Sequence, residues 1–201
     1  MAKHDALVKR AKKGDVDIAF FGDSITEGMN ETLLHQIFGD KAEHFGIGGD
    51  RTQNLIWRLR NGELDFGGKP PKSIVLLMGT NNLRQWGNVA ASTNAEIRDG
   101  VKLNLDEFQK RLPDAHILLL GILPRDEKPY TSTRRRLKET NLLLQKLADN
   151  KHVWYADIGA KLTEPDGKIS KEIMPDFLHP SAEKGYDAMF KAIKPELDAM
   201  K

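Results

Sequence analysis

Asp17-Ile-Ala-Phe-Phe-Gly-Asp-Ser-Ile-Thr26 is the stretch on which the fold turns. Its first half, Asp17–Phe21, is an apolar run of strand length. Its second half, Gly22-Asp23-Ser24-Ile25-Thr26, switches abruptly to small and polar residues. Such a switch describes a strand turning directly into a helix, with the serine hydroxyl projected from the sheet edge. The serine N–H, near a helix N-terminus, then faces developing negative charge, and Gly22 permits the tight backbone. A lone Gly-Asp-Ser equally fits a serine that only caps the next helix. It is not the Gly-x-Ser-x-Gly of α/β-hydrolases, because Thr26 stands where the second glycine would be.

Outward from this stretch, four more short apolar runs follow: Ala42–Phe45, Ser73–Met78, His116–Leu120 and Val153–Tyr155. Ser73–Met78 and His116–Leu120 are apolar nearly throughout, as strands buried on both faces are. Helix-like segments lie between the runs. Thr93-Asn-Ala-Glu96 has capping-box spacing and opens a helix that ends near Pro113. Thr131–Asn150 aligns Leu137, Leu144 and Leu147, and its Arg134, Arg135 and Arg136 are read as a solvated face. Ser181–Met200 reads as a last helix, bent or restarted near Pro195. The Gly/Pro-rich Phe66–Pro71 is a loop, not a linker. Strand–helix alternation predicts an α/β fold with a parallel sheet covered on both sides. The functional site then lies beyond the carboxyl ends of the strands.

Composition narrows the function classes. At 201 residues the chain suits one domain spanning 1–201. It has no cysteine, which excludes disulfides, thiolate metal sites and a cysteine nucleophile. A net charge of +2, from 31 basic and 29 acidic residues, makes no electrostatic case for nucleic acid. No apolar run approaches the ~20 residues of a membrane span. Met1–Lys13 is basic and polar and lacks the apolar stretch of a signal peptide. That leaves a cytoplasmic location and export after loss of a leader both open, as it leaves a homodimer open. No His-Glu-x-x-His spacing occurs, so neither a metal nor an organic cofactor is expected.

Three further segments carry chemistry. Phe45-Gly-Ile-Gly-Gly-Asp50 follows the second run, and its three glycines imply unusual dihedrals or close approach to a ligand. A dinucleotide loop is excluded because Arg51 occupies the last glycine position of Gly-x-Gly-x-x-Gly. A phosphate-binding cradle built on Gly46–Asp50 is a competing reading. Gly79-Thr-Asn-Asn82 follows the most apolar run, and an asparagine amide is a suitable neutral donor for an oxyanion. In Asp176-Phe-Leu-His179 the acid and the base share one side of a turn. The carboxylate can meet Nδ1, leaving Nε2 for a serine hydroxyl. The other histidines, His4, His35, His44, His116 and His152, are read as having no comparable partner.

Together these four segments resemble the blocks of the SGNH, or GDSL-type, hydrolase superfamily, over about Asp17 to Tyr186. Gly46–Asp50 with Trp57-Arg-Leu-Arg-Asn-Gly-Glu-Leu64 is most similar to the group containing platelet-activating-factor acetylhydrolase catalytic subunits and bacterial acetylesterases. The first block often ends in leucine, where Ile25 stands here. The resemblance implies a three-layer, flavodoxin-like, five-stranded parallel sheet of order 2-1-3-4-5. It also implies a catalytic triad of Ser24, His179 and Asp176. The oxyanion hole would comprise the N–H groups of Ser24 and Gly49, with Gly48 the adjacent alternative, and the Asn81 amide. The expected activity is hydrolysis of short acyl, above all acetyl, esters of a small molecule or carbohydrate. Lysophospholipase and thioesterase activities are the alternatives within the superfamily. Leu83, Trp86 and Phe177 are the bulky groups near the motifs that would wall a small acyl pocket.

Overall fold

Successive side chains of each apolar run point to opposite faces of one sheet, and this alternation sorts the core into two layers. The computed structural model describes residues 2–200. Its strands are β1 (Ile18–Gly22), β2 (Ala42–Gly46), β3 (Ser73–Leu77), β4 (His116–Leu120) and β5 (Val153–Ala156). Every pairing is parallel and the order is β2-β1-β3-β4-β5, as the resemblance implies. The helices are α1 (Ala2–Lys12), α2 (Ser24–Glu27), α3 (Glu31–Phe38), α4 (Thr52–Arg58), α5 (Asn94–Arg111), α6 (Ser132–Gln145) and α7 (Lys184–Ala199). Phe21, Ile74, Leu76, Ile117 and Leu119 pack with residues of α1, α4, α5 and α6. Their neighbours Phe20, Val75, Leu77, Leu118 and Leu120 pack on the opposite face with residues of α2, α3 and α7. From β1 the chain steps outward to β2, then returns to β3 on the other side of β1. A crevice therefore opens at the carboxyl ends of β1 and β3.

One buried side chain ties the rim of that crevice together. Arg58, 2% exposed at the end of α4, donates from Nη1 to Gly22 O (3.3 Å) and Asp50 Oδ2 (2.7 Å). Its Nη2 donates to Phe45 O (2.6 Å) and Glu63 Oε2 (2.7 Å), and its Nε to Glu63 Oε1 (2.9 Å). The end of β1, the end of β2 and the loop after β2 thus share one guanidinium, whose fork of donors suits such bridging. Glu63 lies in a π-helical turn, Leu59–Glu63, and also bonds His4 Nδ1 of α1 at 2.8 Å. His4 therefore has a buried carboxylate partner, contrary to the sequence reading, and α1 is a helix that the reading did not foresee.

Other boundaries differ from expectation for local reasons. The capping box forms as predicted: Thr93 Oγ1 accepts from Glu96 N (3.2 Å) and Glu96 Oε2 from Thr93 N (2.6 Å). Helix α6 stops at Gln145 rather than Asn150, because Asp149 and Asn150 turn the chain back by bonding Val153 O, both at 3.0 Å. Its three arginines are not one solvated face. Arg134 donates to Gly167 O, and Arg136 donates to Leu83 O, Ser92 O and Asn94 Oδ1, so only Arg135 stands free in solvent. Helix α7 begins at Lys184, where Gly185 N–H donates back to Ser181 Oγ (2.9 Å), and runs unbroken through Pro195.

Replacing Arg58 by Met would leave Glu63, which is fully buried, without its cation. Loss of one partner of a buried pair costs about 3–5 kcal/mol. The Arg58→Met variant is expected to lose stability on that scale in urea unfolding followed by circular dichroism.

Candidate active site

The loops that follow β1, β2 and β3 meet the loop before α7 at the crevice. Ser24 opens α2 directly after β1 and is half-buried. Gly22 is needed there for space and not for a positive φ: a Cβ on it would lie 2.1 Å from Thr26 Oγ1 and 2.6 Å from Leu77 O. Tyr186 of α7 donates to Ile25 O at 2.7 Å and so pins α2 from within the same layer, a contact with no signal in the sequence.

His179 Nε2 lies 2.8 Å from Ser24 Oγ, and His179 Nδ1 lies 2.6 Å from Asp176 Oδ2. The second oxygen, Asp176 Oδ1, accepts from the backbone N–H of Leu178 (3.0 Å) and of His179 (2.8 Å). Partial burial pulls the Asp176 carboxyl up, but the bonds from His179 and from the two N–H groups outweigh it and hold the group below its usual range. The turn is shaped by Phe177, whose φ of +58° is unusual for a bulky side chain. Its N–H donates to Met174 O (2.9 Å), and its carbonyl accepts from Asp126 N (3.0 Å), which hold that conformation. An imidazole so placed can take the Ser24 proton at Nε2 while Nδ1–H stays on the carboxylate.

The proposed oxyanion donors differ in availability. Gly48 N–H donates to Glu27 Oε2 at 2.9 Å and is engaged. Gly49 has φ +83°, reserved in practice for glycine, and its N–H finds no protein acceptor among the described residues. Glu27 also pairs with Lys3, and its carboxylate occupies the loop that a phosphate cradle would need. Asn81 opens the 3₁₀ turn Thr80–Leu83 from its second position and uses one amide proton on Asp50 O (2.9 Å). The other proton has no acceptor among the described residues. Adjacent Asn82 is 1% exposed and committed to Thr52, Gln53 and Ser92. Leu83, Trp86 and Phe177 do not gather into a wall. Leu83 packs in the first core layer, Phe177 packs against the second, and Trp86 is 66% exposed.

Two features of the site escaped the sequence reading. Asp23 lies between the glycine and the serine of the first motif, and the sequence pattern alone gives it no role. It is fully buried, Oδ1 accepts from Ile25 N (3.0 Å), and Oδ2 has no partner among the described residues. Burial pushes its carboxyl up to about 7, against the pull of the Ile25 N–H and of nearby His179 and Arg125. The second feature is a duplicate. Asp149 and His152 have the same i, i+3 spacing, and Asp149 Oδ1 accepts from the N–H of Lys151, His152 and Val153 while Oδ2 faces His152 Nδ1 at 3.4 Å. His152 therefore does have a carboxylate partner, but it precedes β5, at the amino end of the sheet and away from Ser24.

Parallel strands ordered 2-1-3-4-5, with a serine, glycines, an asparagine and an Asp–His turn at their carboxyl ends, define the class of SGNH hydrolases. Solved structures share the architecture: a GDSL-like lipase from Bacteroides thetaiotaomicron has a TM-score of 0.74 at 20% identity, covering 98% of this chain and 94% of that one. An acetyl xylan esterase has a TM-score of 0.74 at 20% identity, covering 90% and 98%. The sequence profile of the GDSL-like lipase/acylhydrolase family matches residues 20–188. Platelet-activating factor acetylhydrolase IB subunit alpha2 of Rattus norvegicus is 36% identical over 181 residues, 89% of this chain and 75% of that protein. Subunit alpha1 of Homo sapiens is 31% identical over 195 residues, 96% and 80%. The chain belongs to the GDSL-like lipase/acylhydrolase family and is a carboxylic ester hydrolase.

Asp23 gives stability a pH signature. In the unfolded chain its carboxyl titrates near the ordinary aspartate value of 3.8, in the fold near 7. Between those values the folded form holds a proton the unfolded form has lost, so stability falls as pH rises through that window. Asp23→Asn keeps a capping oxygen and removes the titration. Its stability relative to the parent is expected to rise from pH 4 to pH 7.5, as measured by urea midpoints across that range.

Proposed function

We propose that the chain is a serine esterase in which Ser24 attacks the ester carbonyl, His179 is the general base and Asp176 orients it. The observation that carries this reading is the unbroken pair of hydrogen bonds, 2.6 Å from Asp176 to His179 and 2.8 Å from His179 to Ser24. His179 removes the Ser24 proton as the hydroxyl adds to the carbonyl. The resulting oxyanion is held by the N–H groups of Ser24 and Gly49 and by the free Asn81 amide proton. His179 then protonates the leaving alcohol, and in a second round activates the water that releases the acyl group. The position of Glu27 on the Gly48 N–H supports Gly49 over its neighbour as donor.

The acyl group we propose is acetyl or similarly short. The curated relatives are named acetylhydrolases. The exposure of Asp176 and the half-exposure of His179 describe an open site. Each buried CH₂ contributes ~0.8 kcal/mol, so a long acyl chain would need an apolar groove to prefer this enzyme. Leu83 and Phe177 are spent on the core layers instead.

A fluorophosphonate is expected to label Ser24 in the parent and to leave Ser24→Ala unlabelled. Esterase activity is expected to fall to traces in both Ser24→Ala and His179→Ala. A folded Ser24→Ala variant retaining activity within ~10-fold of the parent would remove the assignment. Among p-nitrophenyl acetate, butyrate, octanoate and palmitate, kcat/KM is expected to be greatest for acetate. A maximum at octanoate or beyond would point to a lipase or thioesterase instead.

A further inference from the structure

Arg125, like Arg58, is deeply buried at the crevice, and the two are treated differently. Arg58 has two carboxylates in direct contact. Arg125, 5% exposed in the loop after β4, has none in ion-pair contact among the described residues. Its Nη1 donates to Thr80 O and to Thr80 Oγ1, both at 3.1 Å. Its Nε and Nη2 find no acceptor among the described residues, yet neither is sealed from solvent. The acids that act on it, Asp126, Asp23 and Asp176, do so at longer range, while Arg84 opposes it and burial draws its pKa down. A buried charge without a counter-charge is costly. Arg51, also buried, places both of its Nη groups on carbonyls, Ala90 O and Arg84 O, whereas Arg125 leaves Nε and Nη2 without an acceptor among the described residues. Two of those acids belong to the Ser24–His179 neighbourhood, and Thr80 directly precedes Asn81.

We infer that Arg125 is a positioning residue for the oxyanion site, holding Thr80 so that the Asn81 amide is aimed at the acyl oxygen, with its own charge left free to favour the anion formed there. The inference rests on the reading of Asn81 as an oxyanion donor. Thr80 is the lever: it is 3% exposed, and both its hydroxyl and its carbonyl are taken by one guanidinium, so the turn cannot rotate without breaking two bonds. Asn81 is then restrained from both sides, by Arg125 through Thr80 and by its own bond to Asp50 O. Asp50 is in turn held by Arg58, so Arg58 and Arg125 brace the same amide from opposite ends. Such preorganised donors stabilise the transition state more than the bound ester, so the effect belongs in kcat.

The test is a double-mutant cycle on p-nitrophenyl acetate hydrolysis with Arg125→Met, Asn81→Ala and the pair. Fluorophosphonate labelling of Ser24 is followed in every protein. Arg125→Met is expected to lower kcat ~10–100-fold with KM within ~3-fold of the parent. In the Asn81→Ala background the same change is expected to cost less than ~3-fold, because the amide it positions is gone. Arg125→Lys, which keeps a cation and a donor, is expected to recover part of the loss and carries the cycle if the Met variant does not fold. An equal loss in both backgrounds, a loss confined to KM, or no loss would overturn the inference while the parent still labels. A parent whose Ser24 does not label would overturn the esterase reading as well.

Discussion

The guanidinium of Arg58 is the interaction on which the rest of this structure depends. A parallel sheet ends in a row of carbonyls with no next strand residue to receive them, and the loops that leave it would otherwise be free to diverge. Here one buried cation collects Gly22 O, Phe45 O and the Asp50 carboxylate, which are the last or nearly last groups of β1, β2 and the following loop. Ser24, Gly49 and Asn81 each lie within two residues of a group it holds or are bonded to one. Glu63 balances the charge from the far side and passes the restraint to α1 through His4. Removing water from such a network makes each bond stronger and each omission more expensive.

Around His179 the charges are distributed with a different purpose. Asp176 is exposed and bonded through both oxygens, which keeps it ionised. Asp23 is fully buried and bonded through one, and its carboxyl is pushed up to about 7. Two acids near one imidazole therefore stand in opposite environments, and the difference comes from solvent and backbone N–H groups, not from residue type.

Much of this architecture was legible in the chain because it rests on local rules. Ser73–Met78 and His116–Leu120 are apolar on both faces, and Thr93 with Glu96 announces a capping box, so strands β3 and β4 and helix α5 were readable. The candidate residues Ser24, Asn81, Asp176 and His179 stand out in the chain because each sits where a run of strand residues stops or a turn closes, and Ser24, His179 and Asp176 do meet in the fold. What was not readable depends on tertiary geometry. Nothing near Arg134 and Arg136 in the chain says that carbonyls of Gly167 and Ser92 will be waiting for them. Nothing in Lys3–Lys12 pairs His4 with a residue 59 positions away. The strand order too came from resemblance, since a hydrophobic run carries no label for its neighbour.

The Asp149–His152 turn gives the molecule an internal reference. It repeats the spacing and the backbone bonds of Asp176–His179, with side-chain exposures of 45% and 44% against 55% and 39%. The aspartate–histidine unit is thus first of all a way to close a turn, available wherever the chain must reverse. In one of its two copies here a hydroxyl meets the outer nitrogen, with Ser24 Oγ 2.8 Å from His179 Nε2. Any property in which the two imidazoles differ, from ring-proton exchange to reactivity toward an electrophile, reports what is added to a shared spacing: the closer carboxylate, 2.6 Å against 3.4 Å at Nδ1, and the Ser24 hydroxyl at Nε2.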